Sequence, residues 1–237
     1  MKKLIILLAI TAFSIPSNAQ WKKIKGNGNV TTTTRTVSEY DKIGISGSFD
    51  IKLVAGKEGK LSIVAEDNLL EYLITEVEGE NLKIKWKKGI NIKTKEKIVI
   101  TIPFKDIEEV ALAGSGDVIS NDIINADNFK AALSGSGDFQ LKLKVNMLKS
   151  AISGSGDMNL SGVAKNFDCA ISGSGDVEAE MLVTDIATVR IAGSGDVSIH
   201  VKEELDAKVS GSGDIRYKGN PKKNSTKVSG SGSVRSI

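Results

Sequence analysis

Leu133-Ser134-Gly135-Ser136-Gly137-Asp138-Phe139 decides the fold, because the chain repeats it. The Gly-Ser-Gly triplet begins at Gly114, Gly135, Gly154, Gly173, Gly193, Gly211 and Gly230, at spacings of 21, 19, 19, 20, 18 and 19 residues. The second glycine of the first six copies is Gly116, Gly137, Gly156, Gly175, Gly195 and Gly213. An Asp follows each of these: Asp117, Asp138, Asp157, Asp176, Asp196 and Asp214, whereas the seventh copy has Ser233. Ser46 to Asp50 reads as a degenerate earlier copy with one extra residue, Phe49, before its Asp. A near-fixed period of this kind signals a repeat architecture.

Between triplets the residues alternate. In Phe129-Lys130-Ala131-Ala132-Leu133 and in Phe139-Gln140-Leu141-Lys142-Leu143 the odd positions are apolar and the even ones mostly polar or small. That period of two means strands with one buried face. A unit of about 19 residues is too short for a four-stranded propeller blade and suits a coil of a few short strands, each coil stacking on the last. The expected fold is therefore all-β, a solenoid of single coils.

The parity runs through the triplet, so a straight strand would turn both glycines toward the core and leave it empty there. The triplet is expected to be a bend instead, where missing Cβ atoms let the chain turn tightly. In register, the six aspartates would stack about 4.8 Å apart. Two carboxylates at that distance repel by roughly 1 kcal/mol in water-like surroundings. The first explanation is that each accepts hydrogen bonds from backbone N–H groups of its own or a neighbouring turn. The second is a line of bound cations, calcium in particular. Calcium-binding β-rolls also carry Gly- and Asp-rich repeats, but theirs recur every nine residues, so the first explanation is preferred and no metal site or cofactor is assigned.

The N-terminus reads as a targeting segment. Lys2 and Lys3 precede an apolar run from Leu4 to Phe13, and Ser17-Asn18-Ala19 offers a cleavage site. Residues 1–19 are thus expected to be a signal peptide, with export to the periplasm, the outer surface or the medium. No later stretch reaches the roughly 18 apolar residues of a membrane helix. Removing the segment takes away Lys2 and Lys3 but no acid, leaving 30 basic against 29 acidic residues. That balance gives no reason to expect a nucleic-acid partner. Cys169 has no partner for a disulfide and sits on the apolar parity of Phe167 and Ile171, so a small buried residue is expected.

Residues 20–40, with Asn27-Gly28-Asn29 and the Thr31–Thr34 run, read as a flexible lead-in or an edge strand. Residues 41–109 read as an N-terminal β-rich part of the same domain, and 110–237 as the repeat solenoid. Asp67 is the candidate N-cap of one short helix through Leu69, Leu70 and Leu73. A hairpin turning at Gly79-Glu80 would pair Val77 with Leu82, Thr75 with Ile84 and Leu73 with Trp86, turning Trp86 to the core and setting Glu76 against Lys83. Seven lysines follow closely: Lys83, Lys85, Lys87, Lys88, Lys93, Lys95 and Lys97. They are either a patch for acidic polysaccharide or lipid headgroups, or charges that keep an edge strand from aggregating, and the second reading is preferred.

No catalytic residues are assigned. His200 is the single histidine and has the parity opposite to Val197, Ile199 and Val201, so it is expected at the surface. Gly-Ser-Gly lacks the following helix that a nucleophile elbow requires. A lyase that uses clustered acids with Lys or Arg remains the enzymatic alternative.

The leader, Ile45-Ser46-Gly47-Ser48-Phe49-Asp50-Ile51-Lys52-Leu53, Asp67-Asn68-Leu69-Leu70 and the serial Ser-Gly-Ser-Gly-Asp units together resemble the auto-transporter adhesin head, or GIN, domain family. The likeness covers roughly residues 40 to 237. It implies a right-handed, single-stranded β-helix and an envelope or surface location, and its name suggests adhesion; it carries over no site residues. With neither a translocation barrel after the repeats nor a Cys after the leader, the chain is not expected to transport or lipid-anchor itself. The expected role is a non-enzymatic, adhesin-like rod that binds an envelope glycan or surface protein. The alternative is an assembly module that dimerises through the C-terminal solenoid end, whose last strand has little sequence to cap it.

Overall fold

The computed structural model describes residues 22–237, so the expected signal peptide lies outside the described residues. Strands form in the order β1 (Lys22–Lys25), β2 (Val30–Thr36), β3 (Lys42–Ser46), β4 (Asp50–Ala55), β5 (Lys60–Glu66), β6 (Leu73–Glu78), β7 (Asn81–Trp86), β8 (Ile90–Lys93), β9 (Val99–Phe104) and β10 (Glu109–Gly114). In the repeats, each coil between bends is one continuous strand rather than a few short ones: β11 (Val118–Gly135), β12 (Phe139–Gly154), β13 (Met158–Gly173), β14 (Val177–Gly193) and β15 (Val197–Gly211). The last two coils break into β16 (Asp214–Lys218), β17 (Lys223–Gly230) and β18 (Ser233–Ser236). Together they make an all-β solenoid of about seven turns with one short helix.

Neighbouring coils pair in parallel, so every inward position stacks on its equivalent. One column runs Leu112, Leu133, Ile152, Ile171, Ile191, Val209, and another runs Phe139, Met158, Val177, Val197, Ile215; both are buried throughout. Burying such side chains stabilises by roughly 1.5–3 kcal/mol each. The corner register is unbroken, Gly114 on Gly135 on Gly154 on Gly173 on Gly193 on Gly211 on Gly230. Unequal repeat lengths are absorbed after the corner, as register shifts at Ile119/Ile123, Asn159/Ser161, Ala179/Val183 and Thr184/Ile186. A bulge can take up a residue only where the ladder may lapse locally.

The residues before the repeats join the same stack. Sheet order runs β6, β7, β3, β10, β11 and onward, with β4 pairing β11 and β9. The Ser46–Asp50 copy needs a correction: it has no extra residue. Ser46 pairs with Ala113 and Ile51 with Val118, so Phe49 takes the place of the second glycine. A side chain fits there because no earlier corner lies beneath it. Its ring packs on Trp86, with centroids 5.1 Å apart, and closes that end of the core.

The β6–β7 hairpin has the expected register, Leu73 to Trp86, Thr75 to Ile84 and Val77 to Leu82, and Trp86 packs half-buried against the core. The short helix is a 3-10 turn, Asp67–Tyr72. Asp67 is its first residue, not its cap; Glu66 holds the cap position and makes no side-chain capping bond. The lead-in is strand on both sides of its loop: β2 pairs antiparallel with β5, and β1 pairs in parallel with β8 as a separate two-stranded ribbon.

Candidate functional site

The repeated corners are the most conspicuous candidates in the sequence. The first glycine of each triplet has φ between +129° and +155°, backbone that L side chains rarely adopt. A Cβ on Gly154 would lie 2.2 Å from the Gly135 carbonyl oxygen, and one on Gly156 would lie 2.0 Å from that of Gly137. Backbone therefore rests directly on backbone at both glycines of the corner.

Hydrogen bonds tie the corners together. Ser155 N–H donates to the Gly135 carbonyl at 2.9 Å, and Phe139 N–H donates to the Asp157 carbonyl at 2.8 Å. Each aspartate accepts the backbone N–H of the aspartate one coil on: Asp138 N–H to Asp117 at 3.3 Å, Asp157 to Asp138 at 3.0 Å, Asp176 to Asp157 at 2.8 Å, Asp196 to Asp176 at 2.7 Å and Asp214 to Asp196 at 2.8 Å. Charge-assisted bonds of this kind oppose the repulsion along the column. Ser233 ends the series by donating both its N–H, at 2.8 Å, and its hydroxyl, at 2.9 Å, to Asp214. Those two bonds hold the Asp214 carboxyl below the usual carboxylate range. Among the described residues, no group of three or more His, Cys, Asp or Glu is placed to hold a metal ion.

The seven lysines divide. Lys83 ion-pairs with Glu78, Lys85 with Glu76 at 3.1 Å and Lys97 with Asp50 at 3.0 Å. The expected Glu76–Lys83 contact is thus replaced by diagonal pairs. Lys83 and Lys85 are not on an edge either, since β7 lies between β6 and β3. Lys87 and Lys88 stand at the β7–β8 turn, with Lys93 and Lys95 at the far end of β8, and β1 lays Lys22, Lys23 and Lys25 beside them. The sequence reading missed these three lysines: a four-residue strand is too short for its alternation to be read.

Glu66 roots the ribbon and was also missed. Its carboxylate is wholly buried and accepts the N–H groups of Gly28 at 2.6 Å, Lys95 at 2.9 Å and Glu96 at 3.4 Å. Burial pushes its carboxyl up, but the N–H groups of Lys95, Gly28 and Glu96, with the Lys95 charge, outweigh burial and hold it below the usual range. Gly26 packs on this carboxylate so closely that a Cβ would lie 2.1 Å from it. Asn68 reinforces the joint, donating to the Lys25 carbonyl at 2.9 Å and accepting from Asn27 N–H at 3.1 Å.

The remaining candidates are quieter. Cys169 is fully buried, and burial pushes its thiol up to about 12. His200 is half-buried rather than freely exposed, in register with Val183 and Lys218. Among the described residues, no helix is long and apolar enough to cross a membrane.

Solved structures similar to this chain include a putative adhesin from Bacteroides fragilis NCTC 9343, at 27% identity and a TM-score of 0.86, covering 90% of this chain and 100% of that one. A putative lipid binding protein from Parabacteroides distasonis ATCC 8503 is 30% identical with a TM-score of 0.77, covering 91% of this chain and 100% of its own. A putative adhesin from Parabacteroides merdae ATCC 43184 is 25% identical with a TM-score of 0.74, covering 91% and 99%. No curated protein matches. The family model described as "Putative auto-transporter adhesin, head GIN domain" matches residues 39–221, most of the chain, and the protein belongs to that family.

Proposed function

We propose that the protein is a non-enzymatic, adhesin-like module of the cell envelope or surface, a rigid solenoid whose outward side chains bind a glycan or protein ligand. The observation that carries this reading is how fully the repeated motif is used by the fold. Both glycines and the aspartate of each corner are engaged by the neighbouring coil. Corner residues therefore act as structure, and the side chains free to meet a ligand lie between the corners. Family membership and similar proteins named as adhesins support the same role. Export through the expected signal peptide, and residues 41–109 as the start of the same domain as the repeats, belong to this proposal too.

A screen of the purified protein against glycans and envelope components tests it. Saturable binding of one component, with no turnover of uronic-acid polymers, is expected. Cleavage of such a polymer would replace this reading with a lyase. A second reading rests on the far end of the stack: β17 and β18 carry no further strand among the described residues, and every residue of β17 is exposed. Two such edges could pair as a homodimer, and a monomer mass by light scattering at high concentration would dispose of it.

A further inference from the structure

Resting on the adhesin-like reading, we propose that the β1–β8 ribbon is the binding site for a linear acidic polysaccharide that presents carboxylate or sulfate groups. Parallel register sets Lys25 directly beside Lys93. Like charges opposed across a strand pair are destabilising. Neither lysine has an ion-pair partner among the described residues, whereas Lys83, Lys85 and Lys97 all do. A second group of cations sits at the other end of the ribbon. There the ammonium groups of Lys22 and Lys87 lie 6.0 and 5.8 Å from the centroid of the same Tyr72 ring, and Lys88 follows in the turn. The ring attracts both ammonium groups and leaves them in solvent.

The nearby acids are partly committed. Glu66 is occupied by three N–H groups, and Asp67 accepts the Asn27 amide at 2.6 Å. Glu71 and Glu96 are left as the exposed carboxylates on the flanks. The fold thus gathers cations from two distant segments, sets them against one another and supplies few counter-charges. A bound polyanion would remove that repulsion.

The shape indicates which polyanion. Lys22 and Lys25 are about 10 Å apart along an extended strand, so the two clusters would meet anionic groups spaced along one chain. A membrane fits less well, because interfacial attachment inserts apolar side chains. Among the described residues, none of the exposed large apolar side chains lies on β1, β8 or the β7–β8 turn.

Binding of the purified protein to heparin, polygalacturonate and neutral dextran, at low and at high salt, provides the test. The expected result is binding of at least one acidic polymer but not dextran, loss of that binding in high salt, and a weakening of about tenfold or more in the Lys23→Gln/Lys25→Gln/Lys93→Gln variant. That variant should melt no lower than the parent, since it removes a repulsion, so lost binding would not be lost folding. A control variant, Lys83→Gln/Lys85→Gln/Lys97→Gln, should retain binding. Equal binding by parent and ribbon variant overturns the proposal. So does binding to phosphatidylglycerol vesicles but to neither acidic polymer, which would make the ribbon a membrane contact. Attachment to cells that survives in the ribbon variant would overturn this site alone and leave the adhesin-like reading standing.

Discussion

A Cβ on Gly154 would lie 2.2 Å from a backbone oxygen at φ +134°, whereas one on Gly79, at φ +62°, would meet nothing within 4 Å. Chemical denaturation should separate the two positions. Gly154→Ala is expected to lose about 3 kcal/mol, from backbone strain combined with a contact that cannot relax. Gly79→Asn should lose less than about 1 kcal/mol, because Asn tolerates the left-handed region. Cys169 gives a second residue-scale prediction. Its buried thiol, pushed up to about 12, should resist a thiol reagent in the native protein and react at once in denaturant; rapid native labelling would mean that the core opens there. The need for two glycines per corner was legible in the sequence, because the period and parity already made a straight strand untenable. The partner of each aspartate was not, since a one-dimensional pattern cannot tell an N–H of the same turn from one in the next coil.

At the scale of the element, local pairing was readable and distant pairing was not. The β6–β7 hairpin could be registered from its turn because its strands are adjacent in sequence. The β1–β8 ribbon joins segments far apart in the chain and is held by Glu66, whose role no local motif announces. That carboxyl is held below its ordinary value in the folded protein, so the stability it contributes is complete above the ordinary value of 4.5. It is lost as pH falls through the lower folded value. Hydrogen exchange should therefore show the β1 and β8 amides losing protection in acid before those of the central coils. Glu66→Gln should remove protection from the ribbon at neutral pH as well, leaving little further loss in acid. A ribbon equally protected in that variant would show that Glu66 does not anchor it.

At the scale of the whole molecule, coils that contact only their neighbours should open from their ends. The N-terminal end is closed by Phe49 and Trp86, while β17 is exposed along its whole length. Amide exchange is expected to be fastest in β17 and β18, slower in β15 and slowest in β12 and β13; uniform protection would instead indicate a capped or paired C-terminal end. The repeat made the solenoid legible, but it drew attention to residues that the stack itself engages. The variant Asp138→Ala/Asp157→Ala/Asp176→Ala separates the two roles most directly when its melting temperature and its binding to acidic polysaccharide are measured on the same sample, in calcium and in chelator. The account predicts a melting temperature lower by several degrees, equal in calcium and chelator, with binding unchanged. An unchanged melting temperature with binding lost, or a parent protein that melts higher in calcium than in chelator, would contradict it.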